Sequence, residues 1–217
     1  QPSKLMLDNL IQAPLGDDVF VEDPTVNKLE DHAAKLLGKE KALLVPSGTM
    51  GNLVAILVHA PRGSEVILGD CSHTFIYEAG GISAFGGIHS HQLKNESDGT
   101  INTESIESAI RQNNVHFPRT ALICLENTQN MCFGSPISTT YTNGVSQIAK
   151  KNNLKLHIDG ARIFNAAVAL NVDIRELTKN ADSITFCLSK GLSAPIGSVL
   201  CGTKEFIHEA RRIRKAL

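Results

Sequence analysis

A lysine that ends a buried strand is the residue of this sequence with the clearest chemical potential. Lys190 follows the apolar run 183–188 and lies between Ser189 and Gly191. A lysine amine becomes nucleophilic near neutral pH when it is partly desolvated or lies near another positive charge. The apolar runs on both sides of the motif favour such a position over a surface loop, so Lys190 is a candidate nucleophile.

Two further signals occur where a predicted strand passes into a helix. Ser47-Gly48-Thr49 precedes a helical pattern, and a helix N-terminus with hydroxyl groups and a glycine can bind phosphate. Asp159 ends a short apolar strand, where a carboxylate can hold a protonated ring nitrogen. Each feature alone is more simply explained as a helix cap.

The order of these signals along the chain is more specific than any one of them. Arg162, three residues after Asp159, adds a side chain that can bind a carboxylate with two parallel hydrogen bonds. A phosphate site, then an aspartate and then a lysine at successive strand ends is the order that pyridoxal phosphate requires. The protonated ring of that cofactor accepts electrons, and the protein binds and orients it.

Short apolar strands alternate with helical patterns throughout the chain, which predicts parallel pairing with helical crossovers. We therefore predict one α/β domain over residues 1–217, with a three-layer α/β/α architecture and a largely parallel sheet. Ligands of such sheets bind where strands end and helices begin. The predicted strands are 41–46, 65–69, 86–93, 119–125, 155–158, 183–188 and 196–201, and the predicted helices are 49–59, 73–84, 102–113, 142–152, 160–170 and one from about 203.

With these motifs the sequence resembles the threonine aldolase family, whose members have the large domain of the fold-type I pyridoxal-phosphate enzymes. The matches occur in family order through nearly the whole chain. They are Gly16-Asp17-Asp18-Val19, Glu22-Asp23-Pro24-Thr25, Ser47-Gly48-Thr49-Met50, Ser72-His73, Tyr77-Glu78-Ala79-Gly80-Gly81, Glu126-Asn127-Thr128, Asp159-Gly160-Ala161-Arg162 and Ser189-Lys190-Gly191-Leu192.

The resemblance implies a role for each candidate residue. Lys190 would form the Schiff base with pyridoxal phosphate, Asp159 would pair with the pyridine nitrogen, and Ser47-Gly48-Thr49 would bind the phosphate. His73 would stack on the cofactor ring and act as the base or orient a water that does so. Two more side chains have binding roles by the same resemblance: Arg162 would hold the substrate carboxylate, and Glu126 would support the cofactor.

Two residues depart from the family pattern. Gln129 stands where family members usually have a histidine near the substrate hydroxyl, and glutamine cannot exchange a proton near neutral pH. We assign Gln129 to substrate binding, and its presence leaves both efficient recognition of the hydroxyl and the preference between threonine and allo-threonine open. Ser193 stands where glycine is common. The resemblance also implies that a first strand and a small C-terminal domain are missing from this chain.

Composition limits the classes of partner and compartment. A net charge of −1 gives no reason to expect nucleic-acid binding, and we read the basic run 211–215 as a solvated helix face. No apolar run reaches membrane-spanning length, and no histidine spacing suggests a metal site. Five cysteines without a CxxC pair favour a reducing compartment, the cytoplasm or the mitochondrial matrix. The chain starts with Gln1, so we expect native residues upstream.

The function implied by the resemblance is retro-aldol cleavage of threonine or allo-threonine to glycine and acetaldehyde, by a homodimer or homotetramer. Two alternatives remain open at this point. One is another pyridoxal-phosphate lyase or an aminotransferase that acts on a small amino acid. The other is a truncated, catalytically weak paralogue, which would bind cofactor without releasing aldehyde.

Overall fold

The computed structural model describes all residues 1–217, and its centre is one seven-stranded sheet. The strand order is β1-β7-β6-β5-β4-β2-β3. Strands β2 to β6 are parallel to one another, and β7 is antiparallel to both β1 and β6. Six strands therefore point in one direction. The strands are β1 Lys41–Val45, β2 Ser64–Gly69, β3 His89–Leu93, β4 Arg119–Glu126, β5 Lys155–Asp159, β6 Ser183–Cys187 and β7 Ser198–Gly202.

Helices cover both faces of the sheet. The helices are α1 Lys4–Gln12, α2 Pro24–Leu37, α3 Gly48–His59, α4 His73–Ile76, α5 Gly81–Ala84, α6 Thr103–Ala109, α7 Thr139–Lys151, α8 Ile163–Leu170, α9 Ile174–Thr178 and α10 Lys204–Ala216. One face packs against α2 and α6 to α9, and the other against α3, α5 and α10. None of the helices combines the length and apolar character needed to cross a membrane.

The alternation of side chains along each strand explains this layering. In β4, Ile123 packs with α6 and α7, whereas Leu122 packs with α3 and α5 on the opposite face. In β7, Val199 and Leu200 divide between the two faces in the same way. Strands that are buried on both faces must be apolar at nearly every position, as these sequences are. The predicted three-layer α/β fold with a largely parallel sheet is confirmed.

Several predicted boundaries were wrong. The helix predicted for residues 73–84 is broken into α4 and α5, because Ala79 and Gly80 adopt left-handed backbone with φ of 52° and 65°. The helix predicted for 102–113 ends at Ala109. Helices α1, α2 and α9 were not predicted. The start and end of α2 carry sequence signals, since Asp23 caps it before Pro24 and Gly38 ends it.

The basic run on α10 is not merely a solvated face. Arg211 pairs with Glu30 and Asp18, and Arg214 pairs with Asp18 and donates to the Leu44 carbonyl. These contacts tie α10 to α2, β1 and the short 3₁₀ turn Asp18–Phe20. The Gly16–Thr25 motifs therefore have a structural use, because they present Asp18 to α10 and supply the Asp23 cap.

Helix α3 crosses the sheet at very short range. A Cβ atom added to Gly51 would lie 2.7 Å from Cγ2 of Thr185 in β6 and 3.3 Å from Cγ2 of Val45. We expect Gly51→Ala to destabilise the protein by about 1–3 kcal/mol through overpacking. Urea denaturation measures the change, and Thr185→Ser should restore part of the loss in the double variant.

Gly144→Ala is the matched control for this prediction. Gly144 lies within α7, and apart from its chain neighbours and the adjacent backbone of that helix, no atom lies within 4 Å of the position of an added Cβ. The same substitution should stabilise the protein there by up to about 1 kcal/mol, because alanine favours the helix more than glycine does. Equal effects at the two positions would contradict a close approach of α3.

Candidate active site

The common direction of the strands brings the polar side chains of five strand ends to one edge of the sheet. Ser47 follows β1, His73 follows β2, and Glu126 ends β4. Asp159 ends β5, and Lys190 follows β6. Because β1 points the same way as the parallel strands, its carboxyl end lies at the same edge as theirs.

A cavity of about 230 Å³ lies at this edge. Six of the predicted site residues line it: Ser47, Gly48, Thr49, His73, Asp159 and Lys190. Asn52, Glu78 and Cys187 also line it, and they were not among the predicted site residues. The cavity therefore brings together the lysine, the aspartate and the helix N-terminus that the sequence pointed to separately.

The N-terminus of α3 provides the positive end of this cavity. The Ser47 hydroxyl accepts a hydrogen bond from the Met50 backbone N–H at 3.1 Å, which is an N-cap interaction. The backbone N–H groups of Gly48 and Thr49 have no partner in the protein. Two free N–H groups at the positive end of a helix dipole form a site suited to an anion.

Asp159 is a buried carboxylate with a fixed orientation. Its Oδ1 accepts from the backbone N–H of Ala161 at 3.1 Å, and its Oδ2 accepts from Nδ2 of Asn52 at 2.9 Å. The side chain is 3% exposed and faces the cavity. A buried carboxylate with remaining acceptor capacity favours a positively charged donor as its next partner.

His73 and Glu78 form an ion pair at the cavity wall. Nδ1 of His73 lies 2.9 Å from Oε1 of Glu78, and this hydrogen bond raises the pKa of His73 above its ordinary value. Burial raises the pKa of Glu78 as well, but Glu78 Oε1 also accepts from Asn52 Nδ2 at 2.9 Å. We therefore assign a proton to Nδ1 of His73, which leaves Nε2 free of protein partners.

Glu126 acts on His73 through the backbone rather than from the cavity wall. Its carboxylate accepts from the N–H of His73 at 2.7 Å and from the N–H of Asn130 at 2.9 Å. Burial, with Asp159 nearby, raises the pKa of Glu126 to about 7. Glu126 thus holds the start of α4 and the 127–135 loop in place.

The donors and acceptors fit an aromatic, anionic cofactor with a basic ring nitrogen. The free N–H groups of α3 suit its anion, Asp159 suits the protonated nitrogen, and the Lys190 amine suits a reactive carbonyl. Atoms of His73, Glu78 and Asp159 also lie within 4.8 Å of one another, a spacing that a metal ion could bridge. The His73–Glu78 bond and the Asn52 amide between the two carboxylates favour the hydrogen-bonded arrangement.

Comparison with known proteins agrees with this geometry. The family model described as beta-eliminating lyase matches residues 1–217. The chain belongs to the beta-eliminating lyase family. Its relatives include low-specificity L-threonine aldolase 1 of Arabidopsis thaliana, 52% identical over 220 residues, a match that covers 100% of this chain and 62% of that protein.

Two further comparisons extend this family relationship. The low specificity L-threonine aldolase of Escherichia coli is 45% identical over 215 residues, covering 99% of this chain and 64% of that protein. A solved structure of Leishmania major threonine aldolase has the same fold, with a TM-score of 0.83 at 20% identity, and the match covers 98% of this chain and 64% of that one. The chain thus spans somewhat less than two thirds of the length of these relatives.

Two residues, Arg162 and Gln129, were predicted from the sequence to bind substrate. Arg162 does not line the cavity and donates to Oδ1 of Asn130 at 3.2 Å. Gln129 is 1% exposed, and both ends of its amide bond to backbone, at the carbonyl of Cys71 and the N–H of Cys132. The Gln129 amide thus joins two loops, and the residue does not line the cavity.

Ser193, the other departure from the resemblance, lies in the turn after Lys190. Its φ of 62° is in the left-handed region, where glycine is favoured. Its N–H donates to the carbonyl of Lys190 at 3.0 Å, so the strained residue closes the turn that carries the lysine.

Sequence reasoning missed residues that support the family site from behind. Asn52, His157 and Ser183 are buried and hydrogen-bonded to one another. A signal was available, because each is a polar residue within an otherwise apolar helix or strand. Such residues are buried with partners, but a single sequence does not identify those partners.

The ion pair at the cavity wall makes a testable prediction. Glu78→Gln removes the negative charge that favours protonated His73 and leaves only a neutral amide oxygen as acceptor, whereas the partial burial of the ring remains. We expect the pKa of His73 to fall, and NMR titration of its ring protons measures it. His32 on the surface of α2 serves as an internal reference whose ring signals should be the same in both proteins. An unchanged pKa of His73 in the variant would disprove the ion pair with Glu78.

Proposed function

We propose that this chain carries the cofactor site of a pyridoxal-phosphate-dependent aldolase that cleaves threonine or allo-threonine to glycine and acetaldehyde. The observation that carries the proposal is the convergence of Lys190, Asp159 and the α3 N-terminus on one cavity. The names of the Arabidopsis thaliana and Escherichia coli relatives support the choice of substrate.

Each residue of the site has a stated task in this proposal. The N–H groups of Gly48 and Thr49, with the hydroxyls of Ser47 and Thr49, would hold the phosphate. Asp159 would accept a hydrogen bond from the ring nitrogen and keep it protonated. Lys190 would supply the amine that holds the cofactor aldehyde. Pyridoxal phosphate, when bound, supplies a reactive aldehyde and a protonated ring that accepts electron density from the substrate.

His73 is the proposed base for the hydroxyl proton of the substrate. Nδ1 is committed to Glu78, so Nε2 is the ring atom that accepts the proton, directly or through a water. The ion pair raises the pKa of His73. That makes Nε2 a stronger proton acceptor, but it also requires the proton to leave before the reaction begins.

Arg162 is the proposed carboxylate ligand, although it does not line the cavity. Its partner Asn130 lies in the 127–135 loop, and a substrate carboxylate would replace that neutral amide as the stronger, charge-assisted acceptor.

Exposed apolar side chains, including Phe75, Tyr77 and Phe133, support association with further copies as a homodimer or homotetramer. Light scattering would measure that state.

The experiment that tests the cofactor site is covalent trapping at Lys190. We expect the chain to develop a visible absorption band with pyridoxal phosphate, and borohydride reduction should attach the cofactor to Lys190 in a peptide map. Lys190→Ala should abolish both. Lys179→Ala, which changes an exposed lysine paired with Glu176, is the matched control and should retain them.

The product of the reaction distinguishes the activities. Acetaldehyde and glycine from threonine support the aldolase, whereas a keto acid would support an aminotransferase. Cofactor trapping without aldehyde release would support a catalytically weak paralogue. No trapping at Lys190 would contradict the cofactor site itself.

The base makes a separate prediction. His73→Asn keeps a hydrogen-bonding side chain but cannot carry a proton near neutral pH. We expect kcat for threonine cleavage to fall by about a hundred- to ten-thousandfold, the usual contribution of general base catalysis. Steady-state acetaldehyde release measures it, and full turnover by the variant would remove His73 from this role.

A further inference from the structure

A chain of hydrogen bonds leads from the interior of the protein to Asp159. His59 Nε2 lies 2.8 Å from Ser183 Oγ, which lies 2.8 Å from His157 Nδ1. His157 Nε2 lies 3.1 Å from Asn52 Oδ1, and Asn52 Nδ2 lies 2.9 Å from Asp159 Oδ2. The chain joins α3, β5 and β6, and none of the site assignments above gives His59, His157 or Ser183 a role.

The carboxylates of Asp159 and Glu78 determine which end of the Asn52 amide is the donor. The donors of the other hydrogen bonds follow from that assignment. Asn52 faces Asp159 and Glu78 with the same atom, and only an NH₂ group can donate to both. The other amide atom is therefore the oxygen, so the atom of His157 that faces it must be an N–H.

The remaining protons follow from the neutrality of His157. The ring is completely buried, and burial lowers its pKa to about 3, so only one nitrogen carries a proton. Since that proton is on Nε2, Nδ1 is an acceptor and Ser183 must donate its hydroxyl to it. The Ser183 oxygen then accepts from Nε2–H of His59. All donors thus point toward Asp159.

We propose that Ser183, His157 and Asn52 are positioning residues that hold the Asp159 carboxylate in the orientation needed for the protonated ring nitrogen of the cofactor. The proposal rests on the cofactor site proposed above. Each donor polarises the next, so the Asn52 amide is a better donor to Asp159 than an isolated amide would be. Because neither His157 nor Ser183 lines the cavity, both act only through Asn52.

The first test locates the protons of the hydrogen-bond chain in the protein without cofactor. Nitrogen-15 NMR of labelled histidine should find His157 protonated at Nε2 and bare at Nδ1. Ser183→Ala removes the donor to Nδ1, and we expect the Nδ1 signal and the side-chain amide signals of Asn52 to shift. A proton on Nδ1 of His157 would contradict the proposed order of donors. Unchanged side-chain amide signals of Asn52 in the variant would contradict it as well.

The second test measures binding of pyridoxal phosphate by titration of the apo chain. Ser183→Ala should weaken binding about tenfold, the effect of leaving one buried group without its partner. Ser183→Cys keeps a weaker donor of similar volume and should fall between the wild type and Ser183→Ala. Ser146→Ala is the matched control, because Ser146 is equally buried but bonds only to the carbonyl of Asn180.

The outcomes separate this proposal from the proposed function. Weaker binding for Ser183→Ala but not for Ser146→Ala, at equal folding by urea denaturation, supports the positioning role. Equal binding by Ser183→Ala and the wild type would refute it. Failure of the wild-type protein to bind pyridoxal phosphate would instead refute the cofactor site. The NMR signals would still show whether the hydrogen bonds from Ser183 and His157 influence Asn52.

Discussion

A carboxylate that is buried in a protein must be surrounded by donors, and Asp159 imposes this requirement on the elements around it. Its partners come from α3 and from the turn after β5. For Asn52 to reach it, α3 must lie close to β6, which the absence of a side chain at Gly51 permits. The same approach directs the N-terminus of α3, with its two free N–H groups, into the cavity.

Charge at the site is balanced within a small volume. Asp159, Glu78 and Glu126 are three buried carboxyl groups near one histidine, and His73 is paired with only one of them. Burial near Asp159 raises the pKa of Glu126 to about 7, so this group takes up a proton more readily than an ordinary glutamate does. A positively charged ring nitrogen at Asp159 and a phosphate at α3 would add charges of opposite sign to the cavity.

The strand ends of the site could be predicted from the sequence because the residues next to each of them in the sequence identify it. A buried strand followed by a polar residue and glycine identified Asp159, and the same logic identified Lys190. The partners of these residues could not be predicted, since Asn52 and His157 are 105 positions apart and meet only in the folded sheet. The partners of Gln129 could not be predicted for a similar reason: nothing local indicates that its amide joins the backbone of Cys71 and Cys132.

The antiparallel strand β7 sets the order in which the site can be assembled. Strand β1 pairs only with β7, so Lys41–Val45 cannot join the sheet before Ser198–Gly202 has been made. Contacts so distant in sequence form late, because closing a long loop costs entropy before the contact repays it. During synthesis, the turn at Ser47–Thr49 leaves the ribosome early, yet the strand before it can join the sheet only after Ser198–Gly202 has been made. The anion site therefore depends on a pairing between two distant parts of the chain.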